Sequence, residues 1–151
     1  MQRPRGHVLV VVAGVALLAT SFVPLWATYR VPGLGIVPPR TFHQNAWTAY
    51  GLTMQIGLAL ALAGTVLALI VALRPSVAPP DGARVLLGVC AAATLLLCWQ
   101  IVTGPLDTSD PNGYGVDRGI LLFTGAALAA AMTYGSHVAW RESGRGGPVR
   151  G

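Results

Sequence analysis

The stretch AYGLTMQIGLALALAGTVLALIVAL, residues 49–73, holds no Asp, Glu, Lys or Arg, and only Thr53, Gln55 and Thr65 interrupt its apolar character. About 20 apolar residues in helical conformation cross the ~30 Å hydrocarbon core of a bilayer. This run exceeds that length, which allows a tilted crossing. A helix so uniformly apolar has no wet face, so lipid is its natural solvent.

Three further runs flank it. The first extends from Val8 to Leu25 with Thr20, Ser21 and Pro24 as interruptions, and Pro24 falls in the last turn, where a stop costs little. The third extends from Val85 to Thr103 between Arg84 and the helix-ending pair Gly104-Pro105. The fourth extends from Gly119 to Trp140 between Arg118 and Arg141, and none of the runs contains a charged residue. The fold class expected is all-α: an integral membrane four-helix bundle in one domain, residues 1–151, with helices over about 8–26, 49–73, 85–103 and 119–140. Two short extracytoplasmic loops, 27–48 and 104–118, an inner loop, 74–84, and a disordered tail, 143–151, complete the plan.

Composition agrees with that solvent. Of 151 residues, 54% are hydrophobic and 10% charged, whereas soluble domains carry about 25% charged residues. All ten basic residues are Arg, which with the abundance of Ala, Gly, Val and Leu indicates a GC-rich bacterial genome. The net charge of +5 is dispersed at the ends of apolar runs rather than gathered on one face, so nucleic acid is excluded as a partner. Those arginines orient the chain. With the N-terminus inside, Arg3, Arg5, Arg74, Arg84, Arg141, Arg145 and Arg150 are cytoplasmic and only Arg30, Arg40 and Arg118 are outside. Both termini are then cytoplasmic and the chain is a multi-pass protein of the bacterial inner (plasma) membrane. Trp26, Trp47 and Trp99 fall at the outer boundary and Trp140 at the inner one, as interfacial anchors.

A cleaved signal peptide is the competing reading of the first run, because Arg3 and Arg5 precede it and Ala19-Thr20-Ser21 resembles a cleavage site. Continuation through Phe22, Val23 and Leu25 to spanning length favours a retained helix. Cys90 and Cys98 stand eight positions apart on one helix, about 12 Å along its axis. They are too distant for a disulfide and read as buried, inert thiols.

Helices in lipid associate through small residues that let backbones approach. Gly57, Ala61, Gly64 and Ala68 form such a ridge in the second helix, and Gly125, Ala129, Ala131 and Gly135 repeat it in the fourth. Gln55 and Gln100, at similar depth in the second and third helices, are the costly intramembrane polar groups. An amide bond between them would join those helices. His7 and His137 near the inner surface form a weak haem-ligand pair, with the alternative that they reach toward headgroups.

The two outer loops carry opposite charge. Arg30 and Arg40 flank an apolar stretch punctuated by Pro and Gly, residues 31–39, which reads as an extended hairpin or a compact cap. Asp107, Asp110 and Asp117 lie in the other loop, so one loop is expected to fold over the other through loop charge pairing. Residues 107–113 resemble a calcium loop only in part. With Gly113 at the turn, the loop would open at Thr108 and close on Gly119, which has no side chain, so a polar turn is the better reading and no metal is expected.

Nucleophile elbow, phosphate loop, His-Glu-x-x-His and Cys-x-x-Cys patterns are all absent, and Glu142 is the only glutamate. No catalytic residue and no cofactor is therefore assigned. The leading functional expectation is a non-enzymatic accessory or interaction subunit of the bacterial cell envelope, with the lipid bilayer, other membrane proteins or its own copies as partners. A small-solute transporter or channel subunit acting as an oligomer is the alternative. A haem-binding or other membrane enzyme is the second alternative.

Overall fold

The computed structural model describes residues 5–33, 36, 38–74, 81–104 and 115–145. Along the chain run α1 (Arg5–Ser21), β1 (Ala27–Val31), β2 (Arg40–Gln44), α2 (Ala46–Ala49), α3 (Gly51–Leu73), α4 (Gly82–Thr103), β3 (Gly115–Arg118) and α5 (Ile120–Arg145). The protein is mostly helical. Three helices, α3, α4 and α5, are long and apolar enough to cross a membrane, and α1 is a shorter apolar helix.

The expectation of an all-α chain is corrected by a three-stranded antiparallel sheet of order β2-β1-β3. Its strands come from both of the segments read as loops. In β1/β2 the register runs from Ala27↔Gln44 to Val31↔Arg40. In β1/β3 it runs from Ala27↔Arg118 to Arg30↔Gly115. Because these strands adjoin the end of α1, the start of α3, the end of α4 and the start of α5, the sheet gathers four helix ends on one side of the molecule.

Helix α1 stops at Ser21 rather than near residue 26, and the cause is local hydrogen bonding. The Thr20 hydroxyl donates to the Ala16 and Leu17 carbonyls, both at 3.0 Å, and Ser21 Oγ donates to the Leu18 carbonyl at 2.7 Å. The Val23 N–H and the Trp26 indole both turn back to the Thr20 carbonyl. Side chains thus satisfy two orphan carbonyls of the last turn, Leu18 and Thr20, and with Pro24 following, no further turn of helix forms. The second apolar run also divides. Asn45 Oδ1 accepts from the Trp47 and Thr48 N–H groups at 3.1 and 3.2 Å and caps the single turn α2. The chain then breaks at Tyr50, and α3 begins at Gly51 with φ 66°, a left-handed value that glycine tolerates. Helix α4 begins one turn earlier than residue 85. Helix α5 continues past Trp140 to Arg145, so the segment expected as tail from residue 143 begins as helix.

Helix α1 packs on α3 and α5, and α4 also packs on both α3 and α5. The α1/α5 contact runs the length of α1. Near its start a Cβ on Gly6 would lie 2.8 Å from the Ala139 Cα, and near its end Leu17 reaches Gly125. The start of α1 and the end of α5 therefore share the side opposite the sheet. Inside lie Val10, Leu17, Met54, Leu58, Leu97 and Met132, all fully buried, while Val12, Leu52, Leu95 and Val102 are well exposed on the outside. A body whose outer face is as aliphatic as its core is built for an apolar solvent.

Trp26 is fully buried, not an interfacial anchor. Trp26→Ala is expected to cost on the order of 3 kcal/mol through the cavity it leaves, whereas Trp99→Ala, at a side chain 58% exposed, leaves stability nearly unchanged. Thermal unfolding of the two variants in one detergent checks this.

Candidate functional site

The sheet end concentrates the buried polar contacts between elements, and Trp26 is its centre. Its N–H donates to the Gln44 carbonyl at 3.0 Å, and its own carbonyl accepts from the Gly119 N–H at 2.8 Å and the Tyr50 hydroxyl at 2.7 Å. The indole N–H donates to the Thr20 carbonyl at 2.7 Å. One residue thereby ties α1, β2, the α2/α3 junction and the β3/α5 junction together. Two glycines make room for it. A Cβ on Gly119 would overlap the Leu25 carbonyl oxygen, and one on Gly125 would press into the Trp26 ring. Burial, with Tyr29 nearby and Arg118 pulling the other way, pushes the phenol of Tyr50, which precedes α3, up to about 12. It therefore remains a hydrogen-bond donor to Trp26 at neutral pH.

A second group of contacts surrounds this centre. Trp47 donates its indole N–H to Ser21 Oγ at 3.0 Å, and its ring lies 5.9 Å from that of Phe22. Arg118 Nη2 donates to the Val102 carbonyl at 3.2 Å and so covers one of the last carbonyls of α4. Gly104, with φ 78°, closes the same helix by returning its N–H to the Gln100 carbonyl.

The outward face of the sheet is polar. Thr28 stands opposite His43 on one side and Asp117 on the other, and Thr28 Oγ1 meets His43 Nδ1 at 3.2 Å. Arg30 pairs with Asp117 at 3.0 Å, with both side chains more than half exposed. The Thr28 hydroxyl touches an imidazole, yet the carboxylate lies across Thr28 from that imidazole and is engaged by Arg30. It is not placed to orient His43, which an activated hydroxyl nucleophile requires.

Arg30 and Asp117 are thus brought together by the sheet register. Asp107 and Asp110, and with them the pairing expected for Arg40 and the calcium-like segment, lie outside the described residues. Arg40 itself is exposed at the start of β2. Gln55 and Gln100 do not pair. Gln55 is exposed and donates to the Trp47 carbonyl at 3.1 Å, whereas Gln100 is buried and accepts from the Thr103 hydroxyl at 3.4 Å. A polar link between two of the long helices is made instead by Thr94 and Thr133, 2.8 Å apart across α4 and α5. Each oxygen also lies within reach of a carbonyl four residues back in its own helix, so one hydroxyl donates to its backbone while the other donates across the helices. Threonines that return to their own backbone raise no alarm in a hydropathy reading, which is why this pair gives little signal.

Of the small residues, Gly57 and Gly64 face α4 beside Leu97 and Cys90, Ala61, Ala68 and Ala129 are fully buried, and Ala131 is half-buried. Gly125 receives Trp26, and Gly135 meets the Gly6 carbonyl of α1. Cys90 is buried but Cys98 is exposed, which corrects the reading of both as buried. His7 is buried at the end opposite the sheet, and its Nδ1 has no hydrogen-bond partner among the described residues. His137 is half-buried, with its ring 5.7 Å from that of Trp140. Among the described residues no three His, Cys, Asp or Glu side chains are grouped closely enough to hold a metal ion.

Compared with protein-family models and with curated proteins, the chain matches none.

The Arg30–Asp117 pair is solvated, so Arg30→Glu or Asp117→Arg alone should cost less than about 1 kcal/mol. The double reversal should recover most of that loss at low ionic strength and lose the recovery near about 1 M salt. Thermal melts of the four proteins at two salt concentrations measure it. For the interhelical hydroxyls, a Thr94→Val/Thr133→Val cycle should return a coupling of about 0.6 kcal/mol, the usual size for such bonds in membrane proteins.

Proposed function

We propose that this chain is a non-enzymatic, four-span protein of a bacterial plasma membrane that serves as an accessory or interaction subunit. In this reading the four-helix bundle has both termini in the cytoplasm and the sheet outside. Helices α3, α4 and α5 meet the length and apolarity of spans. At 17 residues, α1 is about 26 Å long. The exposed apolar side chains of Phe22, Val23 and Leu25 extend it toward full bilayer thickness. Its contact with α5 from Gly6 to Leu17 supports treating it as the fourth span. Orientation rests on arginine, which is more abundant in the segments opposite the sheet.

The observation that carries the interaction reading is the clamped sheet. A membrane anchor alone needs no outer element, whereas here Trp26 ties the ends of α1, α3 and α5 under one sheet and Arg118 ties the end of α4 to it. That construction carries a polar face, with Thr28, Arg30, His43 and Asp117, on a sheet whose backbone is tied to the helices. Polar groups on a backbone held in this way favour recognition, because little loop freedom is lost on binding. The buried hydroxyls within the helices support the same view. Thr65 and Ser136 return to backbone carbonyls of their own helix at 2.7 Å, which is structural satisfaction rather than a track for solute.

Two measurements test this. In a Cys98→Ser background, a membrane-impermeant thiol reagent applied to intact spheroplasts should label His43→Cys at least tenfold faster than Glu142→Cys, and permeabilisation should remove the difference. The reverse ratio would overturn the orientation. Mild solubilisation should retain a stoichiometric protein partner or a homo-oligomer. Recovery of a lone monomer that catalyses solute flux in proteoliposomes would replace the interaction reading with transport.

A further inference from the structure

Among the described residues the sheet order leaves β2 at an edge, with every residue from Arg40 to His43 exposed. Which of its backbone groups are free follows from one hydrogen bond. The Trp26 carbonyl points to β3, since it accepts from the Gly119 N–H. In a trans peptide the next N–H points the opposite way, so the Ala27 N–H faces β2. Alternation along the strand then turns Ala27, Tyr29 and Val31 toward β2, and Thr28 and Arg30 toward β3. By the observed register, Gln44, Phe42 and Arg40 spend their backbone groups on β1. Thr41 and His43 present N–H and C=O away from the sheet.

We propose that this free edge pairs with the same edge of a second copy of the chain, antiparallel and centred on Phe42. It rests on reading the chain as an interaction protein and names the partner. In that arrangement Thr41 and His43 of one copy exchange hydrogen bonds with His43 and Thr41 of the other, and all four outward N–H groups find acceptors. Phe42 falls opposite its own copy in the closely spaced, non-bonded type of pair, where side chains approach most. The edge is complementary to itself. Arg40, the only charged side chain of β2, meets Gln44 of the second copy, so no like charges are opposed. Phe42 shares a sheet face with Tyr29, yet it is 50% exposed while Tyr29 packs on the core. Tyr29 is its cross-strand neighbour within the sheet, and a second copy would add an aromatic partner on the edge side. The usual devices that blunt an edge, Lys, Pro or a bulge, are absent from Thr41-Phe42-His43, and Pro38 and Pro39 end before it.

The test uses full-length protein purified in mild detergent, in a Cys98→Ser background. Under mild oxidation Phe42→Cys should form a disulfide dimer at least fivefold faster than Arg40→Cys, because the two copies of residue 40 lie about 13 Å apart along the strands. Light scattering should give a dimer mass for the parent protein. Thr41→Pro removes an outward N–H that β1 does not use. It should keep the parent melting temperature within a few degrees, yet reduce cross-linking through Phe42→Cys at least fivefold. Equal rates for Phe42→Cys and Arg40→Cys, or cross-linking unchanged by Thr41→Pro, would overturn the proposal. Should Thr41→Pro fail to fold, the comparison of positions 42 and 40 decides alone. A monomer that still retains a different protein would sink the self-pairing and leave the interaction reading standing.

Discussion

Trp26 is the constraint on which the sheet end depends. A tryptophan buried completely in an apolar body must satisfy its indole N–H, its backbone N–H and its carbonyl, or each orphan group costs a few kcal/mol. Here every one of those groups is satisfied, and each partner belongs to a different part of the chain: Thr20, Gln44, Gly119 and Tyr50. The energetic demand of one residue thus becomes the geometric specification of four connections. The fit is possible only because Gly119 and Gly125 present bare backbone to it.

Below that knot, the helices follow the economy of a chain in lipid. Hydrophobic contrast between inside and outside is weak there, so close approach and hydrogen bonding hold the helices together. The close approaches occur at glycines: Gly6 against α5, Gly14 against Thr65 and Gly57 against Leu97. Polar side chains return to a carbonyl of their own helix, as Thr65, Thr103 and one of the pair Thr94 and Thr133 do. Gln55 instead reaches across the break at Tyr50 to α2. Facing outward near the start of α3, it finds the exposed carbonyl of Trp47 in the preceding turn and has no need of Gln100.

What was legible depended on range. Apolar length is a property of neighbours in sequence, so the three long helices could be read directly from residues 49–73, 85–103 and 119–140. Helix ends were less legible, because Thr20 and Ser21 look like harmless interruptions until their hydroxyls are seen to close α1. An extended hairpin in the first loop was one of two readings the sequence offered, but the third strand was hidden for a different reason. Strand β3 has only four residues, Gly115 to Arg118, and its partner β1 lies more than eighty positions earlier. No periodicity that short stands out from loop composition. Opposite charge on the two segments hinted that they meet, but register selected Arg30 with Asp117.

The sequence by itself determined the solvent: long uncharged stretches cannot remain in water, and a backbone in lipid must bond to itself, which makes helices of them. It also determined where charge can sit, and hence which segments lie beyond the spans. Only the tertiary structure decided that two of those segments share one sheet, that Trp26 is buried rather than interfacial, and that Thr94 rather than a glutamine bridges helices. Those outcomes rest on hydrogen bonds between groups far apart in the chain. Their partners are chosen by three-dimensional packing, of which local composition holds no record.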